Sequence, residues 1–113
     1  MTAKPVIPRE RASQDVDEAI DHYVREADTQ VALSFVDDLR HAYTLIANHP
    51  SSGSPRYAYE LGIPDLRSVQ LKRYPYLIFY VEQAGYIDVW RVLHGKRDIP
   101  PWLDTVGNRS QHN

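Results

Sequence analysis

YLIFYVEQAGYIDVWRVLHGKRD, residues 76–98, specifies the core of this protein more strongly than any other stretch. Residues 76–82 are a run of aromatic and β-branched side chains, which is typical of a strand and too short for a helix. Gln83-Ala84-Gly85 predicts a turn, and residues 86–93 predict the second strand of a hairpin. Alternation along that strand predicts one face carrying Ile87, Val89 and Leu93, and an opposite face carrying Asp88, Trp90 and Val92. Because nearly every position is apolar, we expect the hairpin to lie inside a sheet with at least one covered face.

The composition is that of one ordinary globular domain. The chain has 113 residues, of which 42% are hydrophobic and 25% charged, and it has no cysteine. The lack of cysteine excludes disulfides, thiolate metal sites and cysteine nucleophiles. No apolar run approaches the roughly 20 residues of a membrane span, and the first residues lack the apolar core of a secretory leader, so we expect a cytoplasmic protein. We assign the domain to residues 1–106 and expect a polar, disordered tail over residues 107–113.

The charge balance argues against a nucleic-acid-binding protein. The chain has 13 Lys and Arg against 15 Asp and Glu, a net charge of −2, whereas binding to phosphates normally requires a basic excess. The charges are unevenly distributed, since most acids lie in residues 15–38 and a series of bases lies in residues 67–97. Two interpretations stay open: a functional basic face, or acids at helix ends together with solvated bases on strands.

The rest of the chain predicts two helices and two further strands. Residues 5–11, which contain prolines, predict an edge strand. Helical spacing of apolar residues predicts a first helix with Ser13 as its N-cap and a second helix over residues 30–48. Residues 50–65 predict a long loop, and residues 66–71 predict a modest strand before the hairpin. The order is therefore β-α-α-β-β-β, a small α+β domain with a helical hairpin packed on an antiparallel sheet.

A set of short motifs follows the same order along the chain. They are Arg11-Ala12 with Asp15, Asn48-His49-Pro50 with Gly53, Leu66-Arg67, Tyr74-Pro75-Tyr76, and the ending Arg91-Val92-Leu93-His94-Gly95-Lys96-Arg97-Asp98. This set resembles the ParE/RelE superfamily of bacterial toxins, the toxic halves of type II toxin–antitoxin modules. The resemblance covers about residues 5–103 and is closest to the ParE and plasmid-stabilisation branch.

Two activities occur in this superfamily, and the residues favour the one that is not enzymatic. RelE-type toxins cleave messenger RNA on the ribosome with basic residues and a tyrosine, whereas ParE-type toxins inhibit DNA gyrase. Four of the five positions that carry the RelE-type chemistry have another residue type here: Ser68, Gln70, Leu77 and Leu103. Only the fifth, Arg97, keeps its residue type. The resemblance therefore implies a growth-inhibiting toxin that binds gyrase and is not an enzyme. It places the candidate target-facing residues at Arg91, His94, Lys96, Arg97 and Asp98.

The resemblance also implies the partners of the chain. We expect a cognate ParD-like antitoxin, of the ribbon-helix-helix type or similar, that neutralises the toxin within a hetero-oligomer. Neither direct DNA binding by the toxin alone nor membrane contact is expected. No cofactor is implied, and no histidine spacing matches a metal motif, so no metal is expected either.

Alternatives remain for the activity and for individual residues. One alternative is a RelE-type ribosome-dependent mRNA endonuclease, and another is a non-toxic relative that only binds antitoxin. The nuclease would need cations for the phosphorane charge and a group that activates the 2′-hydroxyl. Its candidate residues are Glu60, Arg67, Arg73, His94 and Arg97. Arg97-Asp98 stays open between a target-facing and a structural pair, and Trp102 between a C-terminal plug and an exposed anchor for a partner.

Overall fold

The computed structural model describes residues 3–102. The strands are β1 (Val6–Pro8), β2 (Leu66–Gln70), β3 (Tyr76–Glu82) and β4 (Ile87–His94), and the helices are α1 (Glu10–Glu26), α2 (Thr29–Asn48) and α3 (Arg56–Leu61), with a 3-10 turn over Pro50–Ser52. Residues 99–102 are helical as well. The predicted α+β fold class is confirmed, while the predicted domain end at residue 106 and the tail over 107–113 lie outside the described residues. Within residues 3–102, no helix is long and apolar enough to cross a membrane.

The sheet has the strand order β1-β4-β3-β2. The last three strands form the predicted antiparallel meander, but β1 pairs in parallel with β4. The prediction of an entirely antiparallel sheet is therefore wrong at this edge. No hairpin turn joins β1 to β4, so no tight connection forces an antiparallel direction. The Pro5 carbonyl accepts the N–H of Ile87, and Arg9 N–H donates to the Val89 carbonyl, which fastens the predicted edge strand at both ends.

The helical hairpin covers one face of the sheet. α1 begins at Glu10, so the prediction of Ser13 as its N-cap is wrong, and Ser13 N–H donates to the Arg9 carbonyl inside the helix. The helix starts early because Arg9 follows β1 directly in an extended conformation. α2 begins after Asp28, whose carboxylate accepts the Val31 N–H at 2.9 Å as an N-cap. The buried helix residues that pack on the sheet include Ala12, Ala19, Phe35, Leu39 and Ile46.

The second face of the sheet is covered by a segment that the sequence predicts as a long loop. Residues 50–65 contain the 3-10 turn and α3, which ends at Gly62 in the left-handed conformation. A helix of so few residues, flanked by prolines, shows no recognisable periodicity. The interpretation of Trp102 as a C-terminal plug is confirmed, because its ring centre lies 4.8 Å from that of Phe79. The buried residues of this face are Leu61, Leu66, Phe79, Val81, Leu93 and Ile99.

An irregularity in β4 changes the faces of its last residues. The β3–β4 register shifts between Phe79 and Tyr80, so Trp90 is an extra residue in β4 and forms a bulge. Val92 therefore joins the cluster under the helices, and Leu93 joins the cluster on the opposite face. The predicted alternation is wrong beyond Trp90, because a strict period of two holds only while the ladder is uninterrupted.

Candidate functional site

The predicted target-facing residues lie at one end of the sheet, where β4 runs into the last helical segment. We name residues 94–98 the basic loop. This loop borders a groove of about 320 Å³, which we name the end groove, between the first turns of α1 and residues 99–102. The charged and aromatic side chains that line the end groove include Arg11, Asp15, Glu18, Arg91, Arg97 and Trp102.

His94 organises the basic loop from its first position. Its Nδ1 accepts the N–H of Lys96 at 3.2 Å and the N–H of Arg97 at 3.0 Å, which requires a neutral imidazole with its proton on Nε2. Burial and the nearby charge of Arg97 lower the pKa of His94 below its ordinary value. The imidazole also meets the Tyr76 ring edge-on, with the ring centres 5.3 Å apart. His94 therefore holds the loop backbone through the nitrogen that a general base would need.

Arg97 is held in place although its side chain is half exposed. Its Nη2 donates to the Tyr76 hydroxyl at 3.0 Å, and its Nε lies 3.4 Å from Asp98 Oδ1. Burial alone would lower the pKa of Arg97, but the Tyr76 hydroxyl and the Asp98 carboxylate raise it overall. Asp98 also accepts the His94 N–H at 2.9 Å, so the Asp98 carboxylate closes the loop onto its first residue. Tyr76 belongs to a predicted strand and to the Tyr74-Pro75-Tyr76 motif, but no sequence signal indicates that it positions Arg97.

Arg91 belongs mainly to the scaffold beneath the end groove. Its Nε and Nη2 donate to the two carboxylate oxygens of Asp15 at 2.8 and 3.0 Å, and Val92 N–H donates to the same carboxylate at 3.1 Å. The Asp15 side chain is only 4% exposed and that of Arg91 only 18%. This pair joins α1 to β4. Asp15 belongs to a sequence motif, but no sequence signal indicates that it pairs with Arg91.

The residues of the alternative nuclease are dispersed over the fold. Glu60 is exposed on α3, and Arg67 donates to two carbonyls of the preceding loop. Arg67 and His94 pair with positions of β3 that are four residues apart, a separation of about 13 Å along the strand. Arg73 lies in the β2–β3 turn, with its N–H bonded to α2. Among the described contacts, only those between His94 and Arg97 join two members of this set.

A second ion pair, between Arg9 and Asp88, joins β1 to the start of β4, and the sequence does not predict it. Arg9 donates through Nε and Nη2 to Asp88 at 3.0 and 2.8 Å, and its Cζ lies 4.2 Å from the centre of the Trp90 ring. Trp90 Nε1 donates to the same carboxylate at 3.0 Å. The bond from Arg9 lowers the pKa of Asp88, against the effect of burial, and the same bond raises the pKa of Arg9. These contacts make the ion pair a structural clasp.

The helical hairpin exposes three large apolar side chains. Val24, Leu33 and Leu45 are each more than two-fifths exposed. A groove of about 390 Å³ separates α2 from the β2–β3 turn and brings acidic residues of α2 opposite Lys72 and Arg73. The β2–β3 turn also meets the basic loop, because the Pro75 carbonyl accepts the N–H of Gly95 at 2.8 Å. The groove and the basic loop therefore lie at the same end of the sheet.

Comparisons with known proteins give one family match and one structural match. A family model described as "ParE toxin of type II toxin-antitoxin system, parDE" matches residues 6–99. A solved structure described as "Chromosomal ParDE TA system from P. aeruginosa" superposes with a TM-score of 0.68 at 22% sequence identity. The match covers 81% of this chain and 96% of that chain, and at this identity it shows the fold alone. A search of curated protein sequences found no match.

Proposed function

This chain belongs to the ParE toxin family of type II toxin–antitoxin systems, and from that premise we propose that it arrests growth by binding DNA gyrase without catalysing a reaction. Its site of action is then the cytoplasm, where gyrase works on the chromosome. The basic loop and the end groove are the surface that meets the target. Its candidate contact residues are Arg91, His94, Lys96, Arg97 and Asp98, with Arg91 acting chiefly through the scaffold.

The internal bonding of the basic loop is the observation that carries this proposal. A general base needs a free nitrogen or oxygen within reach of the proton that it removes. In this loop, His94 Nδ1 already accepts two backbone N–H groups, and the Asp98 oxygens lie against the His94 N–H and the Arg97 side chain. What remains available is a set of half-exposed cations on a rigid support. Such a surface suits recognition of a partner, because pre-ordered side chains lose little entropy on binding.

We further propose that a ParD-like antitoxin neutralises the toxin by covering the helical hairpin. The exposed apolar side chains Val24, Leu33 and Leu45 supply area that a partner would remove from water. The sheet edges offer little room for a partner strand, because Ser54 already bonds to Ser68 beside β2, and β1 is short and ends in proline. An antitoxin segment would therefore gain most of its contacts from the helices, in a hetero-oligomer with the toxin.

A supercoiling assay with purified gyrase tests this function, run beside a translating extract. We expect the chain to inhibit supercoiling and to leave messenger RNA intact. Arg97→Gln removes the guanidinium that Tyr76 positions, and we expect it to weaken inhibition at least about tenfold, the effect of losing one interface hot spot. Arg25→Gln is the matched control, since Arg25 is an exposed arginine in the last turn of α1 and does not line the end groove.

Three results would contradict the proposal in different ways. Cleavage of messages in the extract would identify an endonuclease instead. Equal inhibition by Arg97→Gln and by the parent chain would show that the basic loop is not the contact surface. A chain that captures its antitoxin but inhibits neither gyrase nor growth would be the non-toxic relative.

A further inference from the structure

The end groove differs from an ordinary charged surface in how its hydrogen-bonding groups are used. Its arginines keep N–H groups beyond those that its carboxylates accept, whereas Asp15 and Asp98 already accept hydrogen bonds from within the fold. We propose that this groove binds an acidic segment of the target protein, with a carboxylate side chain next to an apolar one. The inference rests on the proposed function, since it specifies the chemistry of the target at the same surface.

Arg11 and Arg97 supply the free donors. A guanidinium carries five N–H groups. Arg11 donates to Gln14 at 3.1 Å, and its Nε is 4.0 Å from Asp15, a distance too long for a hydrogen bond. Arg97 bonds to Tyr76 and lies at a long 3.4 Å from Asp98. Their side chains are 54% and 50% exposed, so both guanidiniums can bond to a ligand.

The carboxylates of the groove are mostly engaged within the fold. Asp15 accepts the bidentate pair from Arg91 and the N–H of Val92. One oxygen of Asp98 accepts the N–H of His94, and the other faces Arg97. A partner that enters the groove must therefore bring acceptors, and a carboxylate fits a guanidinium in bidentate geometry.

One acidic side chain restricts the kind of anion that the groove can take. Glu18 lines the groove and is exposed, so it repels a ligand that carries charge along its whole length. A nucleic-acid backbone has such a continuous charge, whereas a protein segment can place one carboxylate near the arginines and a neutral group near Glu18. The net charge of −2 also opposes binding to a polyanion. These features favour a protein segment over DNA or RNA.

The apolar part of the groove is formed by Trp102 and Leu93. Trp102 packs on Phe79, and the guanidinium carbon of Arg91 lies 6.0 Å from the Trp102 ring centre. Leu93 lines the same wall. The volume of about 320 Å³ falls at the small end of ordinary ligand pockets, so it takes a few side chains rather than a whole helix. The basic loop continues directly into this groove, which is why we assign the occupant to the target and not to the antitoxin.

A peptide titration followed by NMR tests the inference without gyrase. The probes are acetyl-Glu-Leu-Glu-amide and acetyl-Gln-Leu-Gln-amide, added to the ¹⁵N-labelled chain. The acidic peptide should shift the Trp102 indole N–H and the Arg11 and Arg97 Nε–H signals, with a Kd of about 1 mM. The glutamine peptide should bind at least tenfold more weakly. Arg11→Gln should weaken the acidic peptide about fivefold, as expected for one exposed ion pair, and Arg25→Gln should leave it unchanged.

Several results would overturn the groove assignment. Equal shifts from the two peptides would remove the role of the carboxylate, and tighter binding of a thymidine oligonucleotide at the same salt concentration would indicate a nucleic-acid surface. If Arg11→Gln weakens capture of the antitoxin and not inhibition of gyrase, the occupant is the antitoxin. A thermal melt of Arg11→Gln that matches the parent chain shows that the variant is folded.

The peptide titration and the supercoiling assay separate this inference from the proposed function. Acidic-peptide binding without inhibition of gyrase would reject the proposed function and keep the chemistry of the groove. Inhibition of gyrase that Arg11→Gln does not change, with no binding of the acidic peptide, would reject the groove and keep the function.

Discussion

Replacing Asp15 with asparagine should lower the free energy of unfolding by about 3 kcal/mol. The Asp15 carboxylate is almost fully buried and accepts both the Arg91 side chain and the Val92 N–H. Asparagine keeps the shape but replaces one acceptor oxygen with an NH₂ donor, which would face other donors. The substitution therefore leaves the Arg91 guanidinium without its charge partner between α1 and β4.

The magnitude follows from how deeply the pair is buried. Removing one partner of a buried ion pair costs about 3–5 kcal/mol. Arg91 retains 18% side-chain exposure, so water partly solvates the unpaired charge and the lower end of that range applies. For a domain of this size, the free energy falls by about 2 kcal/mol for each mole per litre of urea. The midpoint of urea unfolding should therefore fall by about 1.5 M.

Urea unfolding followed by tryptophan fluorescence provides the measurement. Asp17→Asn is the matched control, because Asp17 is an exposed carboxylate on the same helix and its replacement should change stability by less than about 0.5 kcal/mol. The double variant Asp15→Asn/Arg91→Gln should be less unstable than the sum of its single variants, since it removes the unpaired charge. If Asp15→Asn lowers the midpoint no more than Asp17→Asn does, the pair does not hold α1 to β4. Arg91 would then be as available to a target as Arg97.

Three further predictions concern the loops on either side of the sheet. Tyr80→Phe should lower the free energy of unfolding by about 1–3 kcal/mol, because the buried hydroxyl accepts the Gly53 N–H at 3.0 Å and donates to the Pro50 carbonyl at 2.7 Å. Tyr59→Phe, at a residue that is 94% exposed, should change nothing measurable in the same urea titration. Gly53→Ala should destabilise the chain, because its Cβ would lie 2.5 Å from the Tyr80 hydroxyl oxygen, and it should cost less in the Tyr80→Phe background; equal costs in both backgrounds would refute the contact. The pKa of His94 is lowered in the folded chain, so the unfolded chain binds more protons than the folded chain below about pH 6.5. The free energy of unfolding should therefore fall as the pH drops through and below that value. The melting temperature of His94→Gln should depend less on pH than that of the parent chain, and an equal dependence would contradict the lowered pKa of His94.

Most of the fold could be predicted because its signals are local. The apolar run of β3 and the helical spacing of α1 and α2 each depend on neighbouring residues, and the structure places these elements where the patterns indicate. α3 has too few residues to show a period, and the start of α1 depends on where β1 ends. The bulge at Trp90 depends on the β3–β4 ladder, so no property of the β4 sequence alone predicts that Val92 and Leu93 change faces.

The sequence is enough to locate the basic loop, but it does not distinguish structural residues from residues that can bind a partner. Arg91 and Arg97 look equivalent in the sequence, since both come after β3 in the chain and both are cations. Their difference comes from partners on other elements. Asp15 on α1 accepts two hydrogen bonds from Arg91, whose side chain is 18% exposed. Tyr76 on β3 accepts one hydrogen bond from Arg97, whose side chain is 50% exposed. An arginine that is mostly buried in a bidentate ion pair stabilises the fold, and a half-exposed arginine with spare N–H groups can bind a partner. This difference in pairing, and not the residue type, is why the basic loop is expected to act through Arg97.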